Sequence, residues 1–211
     1  MKLYGFPPSP RTWQVRAAAA YLGIPLELVV VDLTKGEQRQ PAYLAINPTG
    51  RAPTLVDGDF KLGEAAAILQ YLASQKPGHL WPDDTRTRAD IMRWQSWAIA
   101  HWDKEACVPL VVERFIKKLL DRGPADEAAV ALALENFHKN ARVLDDHLAR
   151  QRWLVGDEMT LAEFAVAASL FYAQQGGYPL ADYPHIVEWF GRVSALPCWQ
   201  ETAPQQRAAA A

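Results

Sequence analysis

Two short stretches carry side chains whose type and position could do chemistry. Ser9 stands before Pro10 in "PPSPRTWQV". Serine caps a helix well, and proline suits the first helical position. The same place offers unpaired N–H groups and positive potential, which favour an anion. A hydroxyl there can hold a thiolate, with Thr12, one turn further on, as the fallback donor. A free thiol has a pKa of about 8.5 and is only a few per cent ionised at neutral pH. Lowering that pKa by roughly 2 units takes about 2.7 kcal/mol. One hydroxyl bond to a charged group supplies about 1.5–3 kcal/mol, and a helix terminus adds about 0.3–1 kcal/mol.

The second stretch is "GEAAAILQYLA", whose single formal charge is Glu64. A carboxylate opening a helix is favoured by the dipole alone, and it can also hold a ligand ammonium. Metal chemistry has no support. Glu135 and His138 form one Glu-x-x-His, and bundle di-metal sites need two with further carboxylates. There is no His-Glu-x-x-His, phosphate-binding Walker loop or Gly-x-Gly-x-x-Gly.

The elements that must place these residues fall into two halves. "KLYGF" reads as a strand, and "PRTWQVRAAAAYLG" as a helix ending at Gly23. "LELVVVDL" is a β-branched strand, and "TLVDGDFKL" is a hairpin around Asp57-Gly58. The helix at Glu64 follows. This β-α-β-(loop or helix)-β-β-α order predicts a parallel pair with a right-handed crossover, then an antiparallel hairpin. Residues 76–85, rich in Pro, Gly and turn formers, read as a linker between domains 1–75 and 86–211.

The second half is helical throughout. Pro109 is expected to kink or break its first long helix. "TLAEFAVAASLFYAQQGG" is apolar nearly all round and should be the central buried helix. Thr160 and Glu163 form a capping box, with Met159 and Phe164 placed for a hydrophobic staple. The closing alanines are expected to fray.

Of the 211 residues, 50% are hydrophobic and 22% charged, with a net charge of −2. That balance gives no electrostatic reason to bind nucleic acid or a membrane surface. No stretch reaches the roughly 20 apolar residues of a membrane span, and the start lacks the apolar run of a secretory signal. Cys107 and Cys198 stand far apart and read as two reduced thiols of a cytoplasmic protein. Eight tryptophans imply a large buried aromatic area.

Five separated segments together resemble the cytosolic glutathione S-transferase family, serine type (phi, zeta, theta). They are "LYGFPPSPRTWQVRAAAAYLGIPLE", "NPTGRAPTLVDGD", "LGEAAAILQYLA", "WLVGDEMTLAEF" and "YPHIVEWFGRVSALP". They occur in the family's order over nearly the whole chain. The resemblance implies an α/β thioredoxin-like N-terminal domain plus an all-α C-terminal domain, with glutathione as co-substrate and no metal. It puts the catalytic serine at Ser9 and a cis-proline at Ala52-Pro53. It sets Glu64 on the γ-glutamyl ammonium. It also places Gln38, Arg39 and Arg51 around the glycyl end, with Arg39 the best carboxylate partner and Lys35 the alternative. It puts an electrophile pocket between the domains, using Phe6, Trp13, His101, Trp102 and the neighbouring Cys107.

Three positions depart from the family pattern. Ala52 replaces valine, Glu163 replaces aspartate, and Ala65 replaces the serine that holds the γ-glutamyl carboxylate. A hydroxyl bond to a charged group is worth about 1.5–3 kcal/mol, so Ala65 costs about ten- to hundredfold in affinity if uncompensated. The expected activity is conjugation of glutathione to small hydrophobic electrophiles. The alternatives are a non-catalytic dimerisation or binding module with a weakened site, and a glutathione-dependent isomerase, dehalogenase or peroxidase. The first loop, "SPRT", has no cysteine, which disfavours disulfide reduction. A homodimer is expected because the Glu64 helix is apolar on nearly every side.

Overall fold

The computed structural model describes residues 1–78 and 80–204. The terminal alanines therefore lie outside the described residues. The chain divides into two compact units, one of residues 1–81 with 196–204 and one of residues 82–195.

In the first unit, β1 (Lys2–Gly5) leads to helix α1 (Pro10–Tyr21) and β2 (Glu27–Val30). Two tight single turns, Leu33–Lys35 and Glu37–Arg39, precede the short α2 (Pro41–Leu44). The hairpin β3 (Thr54–Asp57) and β4 (Phe60–Gly63) then feeds α3 (Ala65–Ser74). The sheet order is β2-β1-β3-β4. The β1–β2 pair is parallel, while β1–β3 and β3–β4 are antiparallel. The parallel pair and the hairpin are those the element order predicts, in the thioredoxin-like arrangement that the resemblance implies. Pro10 occupies the first turn of α1, and Gly23, at φ 64°, turns the chain out of it. The hairpin turns through Gly58 at φ 60°, with Asp57 facing Phe60.

The register places four chain segments at one end of this sheet. Tyr4 of β1 pairs with Thr54 of β3, which pairs with Gly63 of β4. The loop after β1, the segment before β3 and the exit from β4 therefore leave from the same end. Because β2 runs parallel to β1, with Gly5 beside Val30, the segment after β2 leaves there too. Ser9, Pro53, Glu64 and the Gln38–Arg39 turn are carried by those four departures.

In the second unit the chain stays helical from Thr85 to Leu119. It runs as α4 (Thr85–Trp97), a wide-turn stretch Ala98–Cys107, α5 (Val108–Val111), a second wide stretch Val112–Ile116, and α6 (Lys117–Leu119). The expected break at Pro109 takes the form of these wide π-type turns on either side. Proline has no N–H to give the carbonyl four residues back. That carbonyl, on Glu105, accepts instead from Asn136 Nδ2 at 3.3 Å.

Asn136 lies on α7 (Glu127–Leu148). Next comes α8 (Leu161–Ala167), buried at every position. The expected continuous helix to Gly177 ends instead in a tighter turn, Ala168–Leu170, and resumes as α9 (Ala173–Gly176). The amphipathic α10 (Pro184–Ser194) completes the unit. No helix is long and apolar enough to cross a membrane among the described residues.

The helical unit runs to Ala195. The short α11 (Pro197–Thr202) belongs to the first unit. Its Trp199 ring lies 4.2 Å from that of Trp13, whose indole N–H donates to Trp199 O (3.3 Å) and Thr202 Oγ1 (3.1 Å). Cys107 and Cys198 are both buried, and neither is in a disulfide among the described residues.

Glu163 ties α8 to the turn before it. Its Oε2 accepts from Thr160 N (2.7 Å) and Thr160 Oγ1 (3.0 Å), and its Oε1 from Leu154 N (2.6 Å). The capping box is complete, and the longer side chain adds the bond to Leu154. Burial pushes this carboxyl up to about 7, against the lowering effect of those donors. The folded chain therefore binds the proton more tightly than the unfolded chain between pH of about 4.5 and 7. Stability is greatest below that window and falls as pH rises through it, by about 3 kcal/mol from this group. Urea unfolding across the window should show the decline. Glu163→Gln should flatten it and lower stability by about 2 kcal/mol, because one acceptor oxygen becomes a donor facing N–H groups.

Candidate functional site

Ser9 occupies the N-cap position of α1 but does not cap it. Its N–H donates to Phe6 O (2.9 Å), its carbonyl accepts from Trp13 N (2.9 Å), and its side chain makes no capping bond. The half-buried hydroxyl has no partner among the described residues. Thr12 is no fallback donor. It is wholly buried against β1, where a Cβ on Gly5 would come within 2.7 Å of its Oγ1.

The Ala52-Pro53 peptide is cis. Neither backbone polar group of Ala52 bonds to another described residue. The turn before it rests on a buried polar cluster. Asn47 Nδ2 donates to Arg51 O and to Thr54 Oγ1, each at 2.9 Å. Tyr43 Oη reaches the same two atoms, at 2.7 Å and 2.9 Å. Asn47 Oδ1 accepts from Thr49 N (3.1 Å) and Thr49 Oγ1 (2.8 Å), a local Asx turn. Burial pushes the Tyr43 phenol above its ordinary value, so it stays protonated. A Cβ on Gly63 would lie 3.2 Å from Asn47 Nδ2, so the β4 exit packs against the same cluster.

Beyond this cluster lies a hollow of about 420 Å³ lined by Gln38, Arg39, Leu44, Thr49, Gly50 and Arg51. The three expected polar residues are thus gathered around one cavity. Gln38 Oε1 is buried without a partner among the described residues. Neither guanidinium, of Arg39 or of Arg51, has an ion pair among the described residues. The hollow presents two open cations and an open amide. Lys35, the alternative, is instead paired with Asp32 at 3.5 Å.

Glu64 caps α3 by position only. Its φ of 62° and ψ of 116° place a non-glycine residue in a sparsely populated region, and its side chain makes no capping bond. Such a backbone costs about 1–3 kcal/mol. Its carbonyl accepts from Ile68 N at 3.0 Å, while its exposed carboxylate has no partner among the described residues. Ala65 follows, nearly buried at 8% exposure, and opens α3 with no side-chain acceptor for its first N–H groups. The second unit differs: Asp84, Asp126 and Thr160 cap α4, α7 and α8 through their side chains. The two helices that start at this end of the sheet leave their termini open.

Several expected pocket residues are elsewhere. Trp13 is 2% exposed and packs on Trp199 inside the first unit. Trp102 is fully buried inside the second unit, between Trp97 (5.8 Å) and Phe137 (4.8 Å). Both are core residues, as is Cys107. His101 points to solvent and pairs with Glu105, one turn along the same helix, at 3.5 Å. Phe6 remains in the half-buried loop before Ser9. Tyr43 and Thr54 escape a reading of the sequence. For Asn47 there was a local signal, the Asn-Pro-Thr sequence of an Asx turn.

Comparison with known proteins gives a consistent result. The family described as "Glutathione S-transferase, N-terminal domain" matches residues 1–74, and "Glutathione S-transferase, C-terminal domain" matches residues 103–197. The chain is 37% identical to glutathione S-transferase 3 of Zea mays over 210 residues, covering 96% of this chain and 92% of that protein. It is 34% identical to human glutathione S-transferase theta-2 over 186 residues, 82% of this chain and 72% of that one. Among solved structures, glutathione transferase F7 of Populus trichocarpa superposes with a TM-score of 0.87 at 26% identity, over 95% and 96% of the two chains. An apo glutathione S-transferase III superposes at 0.83 with 37% identity, over 95% and 94%.

The cluster under Arg51 should be needed for stability. Asn47→Ala removes four bonds at a buried position and should lower unfolding free energy by about 2–4 kcal/mol, and Tyr43→Phe by about 1 kcal/mol. Urea midpoints of the two variants measure both.

Proposed function

The chain belongs to the glutathione S-transferase family, and from that membership we propose how its own residues hold glutathione and activate the thiol. It is a glutathione transferase. The γ-glutamyl end lies at the start of α3, with the Glu64 carboxylate on the ammonium and the Ala65 N–H on the carboxylate. The cysteinyl backbone pairs with the open N–H and C=O of Ala52, as an added strand would. The glycyl carboxylate lies in the hollow against Arg39 and Arg51, with Gln38 beside it.

This arrangement brings the thiol to the open end of α1. The Ser9 hydroxyl donates to the thiolate there, and the helix N-terminus adds its positive potential. Ionisation supplies the nucleophile, and holding it beside a small hydrophobic electrophile supplies the proximity. The sulfur attacks the electrophilic carbon, the thioether bond forms, and the leaving group or a proton-accepting atom takes the displaced electron pair. The observation that carries this reading is the uncapped Ser9 hydroxyl at an uncapped helix terminus.

A second reading has one specific observation in its favour. Ala65 offers no hydroxyl, which fits a binding module whose ligand site has weakened. The partner of either form is a second copy of the chain. Phe60 is 45% exposed beside Tyr71 (5.2 Å), and the outer α3 residues Ala66, Ala67 and Gln70 are only half-covered. Two free buried thiols fit a reducing compartment such as the cytoplasm.

Ser9→Ala should lower kcat for glutathione conjugation by about ten- to hundredfold with a smaller change in KM. Unchanged conjugation would remove Ser9 from the chemistry. Calorimetric titration should show glutathione binding to the wild type, tightened about tenfold or more in Ala65→Ser. Absence of wild-type binding, restored in Ala65→Ser, would favour the binding-module reading.

A further inference from the structure

A second cavity, of about 370 Å³, lies wholly within the helical unit. It sits where the chain leaves α7 and passes along α10, and its lining includes Arg150, Arg152, His185, Glu188 and Arg192. Three arginines against one carboxylate make it a strongly basic cleft. Helix C-termini favour a cation and account for two of them, Arg150 just beyond α7 and Arg192 in the last turn of α10. They do not account for all three meeting at one cavity.

Two of its groups are held in fixed positions. Arg192 Nη1 donates to Glu188 Oε1 (2.5 Å) and Nη2 to Arg152 O (2.8 Å). Its Nε is buried and has no partner among the described residues. His185 is fixed by Asp145, which accepts from its backbone N–H (2.9 Å), from Ile186 N (3.0 Å) and, through Oδ2, at Nδ1 (2.9 Å). Asp145 is thereby engaged. Trp153 stands beside the cleft, with the Arg152 and Arg192 guanidinium carbons 5.9 Å and 5.8 Å from its ring. Arg150 and Arg152 are exposed and have no ion pair among the described residues.

We infer that this cleft binds a phosphate-type oxyanion, separately from the glutathione site. The charge requires an anion. Planar guanidinium forks match the oxygens of phosphate, and the buried Arg192 Nε supplies one more donor. Inorganic phosphate and the phosphoryl group of a phosphomonoester present the same oxygens.

The test is titration of the full-length protein with inorganic phosphate at neutral pH and constant ionic strength, followed by NMR. The signals to follow are the His185 ring and the Trp153 indole N–H. Both should move saturably. Phosphate held in the Arg39–Arg51 hollow would move neither. Arg150→Ala with Arg152→Ala should weaken the response by at least about tenfold, and because Arg152 also lies over Trp153, an unchanged urea midpoint checks that the fold is kept. Immobile signals, or a response undiminished in the double variant, would each overturn the inference.

Discussion

The arrangement depends on the register of three strands, Tyr4 beside Thr54 beside Gly63. In a sheet whose period is two residues, a slip of one would turn every side chain to the other face. Here it would also move the loop with Ser9, the Ala52-Pro53 segment and Glu64 away from a common end. Thr54 holds both aspects together. Its backbone sits in the ladder, while its buried hydroxyl bonds Tyr43 and Asn47. Those two side chains then fix the Arg51 carbonyl, and with it the turn that carries one of the two open cations.

On that frame the protein treats its helix termini in two ways. In the helical unit they are closed by Asp84, Asp126 and Thr160, and by the distant Asp145 at the start of α10. In the α/β unit α1 and α3 stay open, with a free hydroxyl at one and a free carboxylate at the other. A cap is worth about 1 kcal/mol, and the backbone at Glu64 costs a similar amount or more. Stability is thus given up at two neighbouring places where a bound anion would restore it. In the function proposed above, those anions are a thiolate at α1 and a carboxylate at α3.

How far the sequence foretold this follows from the range of the forces involved. The α1 boundaries, the Asp57-Gly58 hairpin and the Thr160–Glu163 box are local, set by residues within four positions, and each is where the sequence predicts it. The parallel β1–β2 pair and the antiparallel β3–β4 hairpin are where element order puts them. Gln38, Arg39 and Arg51 came together as the resemblance implied. The tryptophans were harder to read, because helical spacing says which side of a helix is apolar but not what covers it. Trp13 is buried by Trp199, 186 positions away, and Trp102 by Phe137 on another helix. The same long-range contact moves α11 into the first unit. Tyr43 and Thr54 looked like ordinary helix and strand residues. Only the fold brings their hydroxyls within 2.9 Å of each other.

In the proposed mechanism an open helix terminus and the Ser9 hydroxyl together hold glutathione as a thiolate. Ultraviolet titration of the thiolate band, with glutathione saturating the wild type, tests it most directly. The bound thiol should ionise roughly 2 units below the free value of about 8.5, with much of the shift lost in Ser9→Ala. A bound thiol that ionises at the free value in the wild type would contradict it.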